Sequence, residues 1–198
     1  MASYELVLVC VGRQANTEGL GLESAGVKVE RGRIIVDDYL KTNIPNIYAV
    51  GDCTGKIMLA HFAAYQGQIA AHNIAQPSNL KKADNQIVPN CIFTDPEIAS
   101  VGINEEAAKT KGIEIKIHKF DFLGSGMARI LEETDGFIKI ISQSENGEIL
   151  GASIIGPRVT ELIAVLTLAI TNHLKVSQIK DTIFAHPTIS EAIHEALN

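Results

Sequence analysis

The sequence predicts an α+β protein: an antiparallel-sheet domain with helices, preceded by the remnant of a parallel α/β region. Three observations carry this. The second half of the chain alternates in strand fashion and contains Asn146-Gly147 between two apolar runs, among the strongest short-range hairpin signals. Residues 4–12, YELVLVCVG, instead form a continuous apolar run rich in Val and Leu, which suits a strand covered on both faces. Between them lies QPSNLKKADNQ, residues 76–86, polar and interrupted by proline, the best boundary in the chain. It divides the sequence into residues 1–84 and 85–198.

A buried strand needs neighbours on both sides, and nothing before Tyr4 can supply one. The chain is therefore expected to begin inside a larger fold, with Met1, Ala2 and Ser3 as an added start. From Gly26 the pattern shortens: GVKVERGRIIVDDYL reads as a hairpin turned at Arg31-Gly32. TNIPNIYAVGD predicts a short strand over residues 47–50 ending at Gly51-Asp52, and the Ala- and Gly-rich stretch after it predicts a helix packed closely on a sheet. Beyond the boundary, IVPNCIFTDPEIASVG offers two short strands around Asp95-Pro96, and INEEAAKTKG a short helix closed by Gly112. IEIKIHKFDF alternates, with Ile113, Ile115, Ile117 and Lys119 on one face and Glu114, Lys116, His118 and Phe120 on the other. After the Asn146-Gly147 hairpin come a helix over about residues 159–172, the segment VSQIKDTI and a last helix. Four or five antiparallel strands backed by helices is the economical arrangement.

Composition excludes several classes. The 198 residues carry a net charge of −6 and a pI near 5.5, with Lys81-Lys82 the sole basic doublet, which argues against a nucleic-acid partner. No apolar run approaches the roughly 20 residues of a membrane span, and no leader pattern opens the chain. A cytoplasmic location, or a mitochondrial matrix in a eukaryote, is the expectation. Cys10, Cys53 and Cys91 form no Cys-x-x-Cys or Cys-x4-Cys and stand at no zinc-type spacing to a histidine, so they read as free thiols and no metal is expected. His72, His118, His173 and His194 read as surface or satisfied core residues. Helix residues Leu162, Ile163, Val165, Leu166, Leu168 and Ile170 leave apolar groups on nearly every side, which predicts a second covering surface.

Two places carry chemical hints. Asp52, just past a strand, stands where open α/β sheets bind ligands, and the following helix presents its partly positive amino end; an Asp after Gly is also an ordinary turn residue. In HPTISE, His186 precedes Glu191 by five residues. Thr188-x-x-Glu191 has the form of a capping box, in which the hydroxyl takes a first-turn amide and the carboxylate reaches back. Ile189, Ile193 and Leu197 then recur at helical spacing. The pair is catalytic or it is the start of a helix.

TNIPNIYAVGD followed by KIMLAH resembles the second flavin-binding fingerprint of the pyridine nucleotide-disulfide oxidoreductases, and HPTISE resembles that family's closing active-site motif. VLVCVGR, FTDPEIASVG and GASIIGP match the family's style, so the resemblance runs from about Leu6 to Leu197. MLAH and the lack of a C-terminal cysteine pair favour the dihydrolipoyl dehydrogenase branch over mercuric reductase, with glutathione reductase and soluble transhydrogenase as runners-up. Phe184 and Phe62 depart from that branch, which often has His and Lys there. The family's two Gly-x-Gly-x-x-Gly motifs and its Cys-x4-Cys do not occur in this chain. It therefore resembles the C-terminal two-fifths or so of such an enzyme, with residues 1–84 a remnant of the NAD- and FAD-binding domains and 85–198 an interface domain.

The resemblance implies oxidation of protein-bound dihydrolipoyl groups, with electrons passing through a disulfide and FAD to NAD+. His186 would be the base and Glu191 its partner. Asp52 would bind the ribityl chain, the backbone of Met58, Leu59, Ala60 and His61 would meet the flavin's pyrimidine end, and Gly12 would lie against NAD. The implied partners are a second copy, through the interface domain, and the lipoyl domains of 2-oxo acid dehydrogenase complexes. The chain alone is expected to be inactive and to hold FAD weakly or not at all. The other reading is a non-catalytic dimerisation module.

Overall fold

The computed structural model describes residues 4–198; the expected added start lies outside the described residues. The chain falls into two compact units, Met1–Asn85 and Gln86–Asn198.

The second unit is a five-stranded antiparallel sheet with helices, as the sequence predicts. Its strands are β3 (Asn90–Ile92), β4 (Glu97–Gly102), β5 (Ile115–Asp121), β6 (Phe137–Gln143) and β7 (Ile149–Gly156), in the order β3-β4-β7-β6-β5. Cross-strand partners share a face, so the rung Val101, Ala152, Ile140 and His118 lies on one side. The rung Ile98, Ile155 and Phe137 lies on the other. Helices cover the first side: α4 (Val159–Thr171) packs on β4 and β7, and α6 (Glu191–Leu197) on β5 and β6. Two short helices, α2 (Glu105–Thr110) and α3 (Gly126–Ile130), start at Asn104 and Ser125, whose side-chain oxygens accept from the amides of Ala107 and Ala128. The turn at Asn146-Gly147 forms as expected, with Gly147 at φ +75° and the Asn146 side chain accepting from the Glu148 amide.

In β5 the helix-covered side takes His118 and Phe120, while Ile117 is half exposed. Position in the register, not hydropathy, decides this: His118 faces the layer under α6, and its Nε2 is 2.9 Å from Ser142 Oγ. In α4 the buried set is Val159, Leu162, Ile163, Leu166, Ala169 and Ile170, and Leu168 stands exposed on the opposite side. Glu97 Oε2 accepts from both the amide and the hydroxyl of Thr160, tying the start of α4 to β4. Helix α5 (Val176–Lys180) leads to the final segment.

The first unit holds the short hairpin β1 (Val29–Glu30) and β2 (Arg33–Ile34), with Glu30 opposite Arg33 around the expected turn. It also holds α1 (Ala60–Ala75). Two expectations fail in this unit. Residues 4–12 form no strand: Leu6, Val7, Leu8 and Val11 are more than four-fifths exposed, because no described strand pairs with their backbone. The strand expected at 47–50 shrinks to one bridge between Tyr48 and Lys41, since Pro45 and the left-handed Asn46 leave little extended chain before Gly51.

Candidate functional site

The predicted site residues occupy two places, one in each unit. In the second, the carboxylate of Glu191 divides its oxygens. Oε1 lies 2.9 Å from His186 Nδ1, and Oε2 accepts from the Thr188 amide at 2.8 Å. The capping box is therefore only half formed. The Thr188 hydroxyl does not take a first-turn amide; it donates to the Ala185 carbonyl and lies 2.7 Å from Ser190 Oγ. With Ser190 already in helical geometry ahead of Glu191, a hydroxyl two residues further back is out of place for that bond.

This arrangement suits proton transfer. The Thr188 amide first, and His186 second, hold the Glu191 carboxyl below its usual range, so it is an anion at neutral pH. The His186 side chain is 79% exposed. A carboxylate at Nδ1 makes that nitrogen the donor and leaves Nε2 as the basic nitrogen toward solvent. Behind the pair, Ile189 and Ile193 are buried and α6 packs on β5 and β6, so the ring stands on an anchored base. Phe184, the departure from the family pattern, lies against the His194 ring with centroids 5.9 Å apart.

In the first unit Asp52 sits in a one-turn 3-10 helix, Gly51–Thr54, ahead of α1. A Cβ on Gly51 would stand 2.9 Å from Ala63 Cβ, so glycine permits the close approach of this turn to α1. The buried Gln66 side chain accepts from the Gly51 amide at 2.7 Å and fastens the two together. Met58 and Leu59 lead into α1 and are half-buried, and Ala60 and His61 open it and are exposed. Among the described residues no side chain caps this end and no acidic residue stands in its first turn, so its partial positive charge is uncompensated by the helix itself. A hydroxyl-accepting carboxylate beside a helix amino end suits a ligand with a sugar-alcohol chain and a ring edge that takes on negative charge, as a flavin offers. Gly12 is exposed with φ +142°, a conformation suited to glycine, and no atom lies within 4 Å of where a Cβ would be.

One residue without an expected role joins this place. Arg13 Nη1 lies 3.2 Å from Asp52 Oδ2, and Nη2 donates to the Met58 carbonyl. The signal for it was the position of Arg13 at the end of VLVCVGR; its partners, 39 and 45 residues away, are invisible to local pattern.

The remaining histidines have the ordinary partners expected of them. His72 meets the Asn79 carbonyl, His118 Ser142, His173 Glu148 and His194 Asn198. Among the described residues no His, Cys, Asp and Glu cluster suits a metal, the cysteines are unpaired, and no helix is long and apolar enough to cross a membrane.

The dimerisation domain of the pyridine nucleotide-disulphide oxidoreductases matches residues 88–197, and the family's pyridine nucleotide-disulphide oxidoreductase domain matches residues 2–67. The chain belongs to this family. Curated relatives of this chain include dihydrolipoyl dehydrogenases from Chlamydia muridarum, 48% identical over 194 residues, and Geobacillus stearothermophilus, 46% identical over 194 residues. These matches take in 98% and 97% of the chain but 41% of either relative. The HOCl-induced flavoprotein disulfide reductase RclA from Escherichia coli superposes with a TM-score of 0.87 at 30% identity, over 94% of this chain and 43% of that one. LpdA from Mycobacterium tuberculosis gives 0.86 at 32% identity, over 93% and 40%. The chain thus spans about two-fifths of the length of the family members it matches.

Proposed function

We propose that this chain is the proton-handling and flavin-flanking part of a dihydrolipoyl dehydrogenase, which oxidises protein-bound dihydrolipoyl groups and delivers the electrons to NAD+. The observation that carries the reading is the His186–Glu191 pair, with one carboxylate oxygen on the ring and the other on the Thr188 amide.

A thiolate, not a thiol, attacks a disulfide, so oxidation of a dithiol needs a base at the substrate sulfur. His186 Nε2 takes the thiol proton. The imidazolium so formed keeps its Nδ1–H on Glu191, whose anion stabilises the charge and fixes the ring. Bound FAD would supply the electron transfer between the enzyme's disulfide and the nicotinamide, which the protein orients but does not itself perform. Asp52 would accept from a flavin hydroxyl, the backbone of residues 58–61 would face its ring, and Gly12 would border NAD. The exposed Leu168 on α4 supports association of two copies through the second unit. The relatives' name points to a dihydrolipoyl group as the reductant, and a lipoyl domain is the carrier this reading gives it.

The reading is tested in the enzyme assembled with a disulfide-bearing half. His186→Gln should lower dihydrolipoamide oxidation by about a hundredfold or more, within the range of a lost general base. Flavin content and dimer formation should be unchanged. Glu191→Gln should act in the same direction more mildly. Wild-type turnover in a folded His186→Gln enzyme would leave the motif a helix start. The 198-residue chain alone, with no Cys-x4-Cys, should show no turnover and should lose flavin on gel filtration.

A further inference from the structure

Residues 52–58 leave the 3-10 turn and reach the head of α1, and they are gripped from three sides. Gln66 holds Gly51 at the near end. Gly55, at φ +64°, leaves space filled by the Arg33 stem: a Cβ there would stand 1.9 Å from Arg33 Cδ. Arg13 spans the two ends, one guanidinium nitrogen on the Asp52 carboxylate and the other on the Met58 carbonyl. Thr17, four residues on, donates to the Gly32 carbonyl at 2.8 Å and so fixes the segment from which Arg13 projects.

We infer that Arg13 is a positioning residue: a clamp that closes the 52–58 loop and thereby sets the Asp52 carboxylate and the residue 58–61 backbone in register with one another. The inference rests on the flavin reading of Asp52 and extends it to a residue to which that reading gives no role. The planar fork of an arginine supplies two parallel donors to two acceptors, whereas a lysine ammonium is a point charge that cannot hold both in one geometry. Among the described residues Arg13 engages Asp52 Oδ2, and Oδ1 keeps its capacity to accept from a ligand hydroxyl. Both side chains are about half exposed, so the clamp is a modest restraint and its loss opens the loop without unfolding the unit.

Lys56, exposed within the loop, reports on its opening. Digestion of the flavin-free 198-residue chain with a lysine-specific protease should cut after Lys56 about threefold faster in Arg13→Gln than in wild type, the size expected for a lost exposed ion pair. Arg13→Lys should fall between. Cleavage after Lys41 in the same digest controls for general unfolding. In the assembled enzyme, flavin release on dilution, followed by flavin fluorescence, should quicken in the same order. Unchanged cleavage at Lys56 overturns the clamp whatever the flavin does. Faster cleavage with unchanged flavin release overturns the positioning role. A wild-type assembled enzyme that retains no flavin overturns instead the reading of Asp52 on which this one is built.

Discussion

The two units of this chain were given similar apolar material and used it differently. The second closes 21 apolar side chains into one cluster, whereas the first holds two separate clusters of three. The longest apolar run in the first unit, residues 4–12, lies open to solvent. A strand-like sequence becomes a strand only where another strand is in reach. β6 and β7 lie side by side through a short turn, and β4 pairs with β7 along its whole length. Residues 4–12 have a strand's composition and no partner among the described residues.

The largest test of this contrast is Phe122→Ala. Phe122 is fully buried, and its ring stands 2.5 Å from where a Cβ on Gly156 would be, so no neighbour can fill the vacated space cheaply. The substitution should cost the second unit about 3–5 kcal/mol. Leu40→Ala, in one of the small clusters, should cost the first unit about 2–3 kcal/mol. Hydrogen exchange read peptide by peptide in denaturant should show each loss confined to its own unit. Equal losses in both would mean the units are not independent.

A smaller effect separates pH responses. Burial first, then the charges of Lys116 and Lys180, hold the His118 ring below its ordinary pKa near 6.5, so it is neutral in the folded unit. Below that pH the unfolded chain takes up a proton that the folded one resists. The contribution is therefore complete above about pH 6.5 and falls beneath it, by at most about 1.4 kcal/mol per pH unit. His118→Gln should remove that portion of the slope in a pH series of denaturant titrations. Glu191 acts in a lower window and with the same sign: its depressed carboxyl stabilises above the ordinary carboxylate pKa near 4.3 and ceases to as pH falls through the folded value. Glu191→Gln should flatten the curve there.

The smallest expected change is at Lys139, whose Nζ lies 2.6 Å from Glu105 Oε1 between β6 and α2. Lys139→Met should alter stability by about 0.5 kcal/mol or less, and the difference should vanish in high salt.

Legibility in the sequence followed the same division. The Asn146-Gly147 hairpin, the strands around Asp95-Pro96 and helices α1 and α4 could be read because turn chemistry and periodicity act over a few residues and their partners lie nearby. The burial of His118 over Ile117 could not, since the covered face is decided by helices 40 and more residues downstream. The strand expected from residues 4–12 failed because composition states a wish for burial and is silent on who provides it. At the candidate site, HPTISE showed both residues of the pair, and local reasoning left them between a helix start and a catalytic dyad. The structure shows that Glu191 meets both the Thr188 amide and the His186 ring, with the box half closed because the Thr188 hydroxyl turns back to Ala185. Arg13 was in view in VLVCVGR, but its meaning depends on Asp52 and Met58, across a span that no window covers.

The shared carboxylate of Glu191 has a consequence for how this stretch can vary through descent. Because a single side chain answers to both the backbone at residue 188 and the ring at residue 186, neither demand can be tuned alone. A glutamine can satisfy the amide yet presents its NH2 to a ring nitrogen that needs an acceptor; an aspartate is one methylene short of both. Substitutions at 186 and 191 should then be non-additive in a double-mutant cycle, each masking most of the other. A change at 191 therefore disturbs the start of α6 and the ring together.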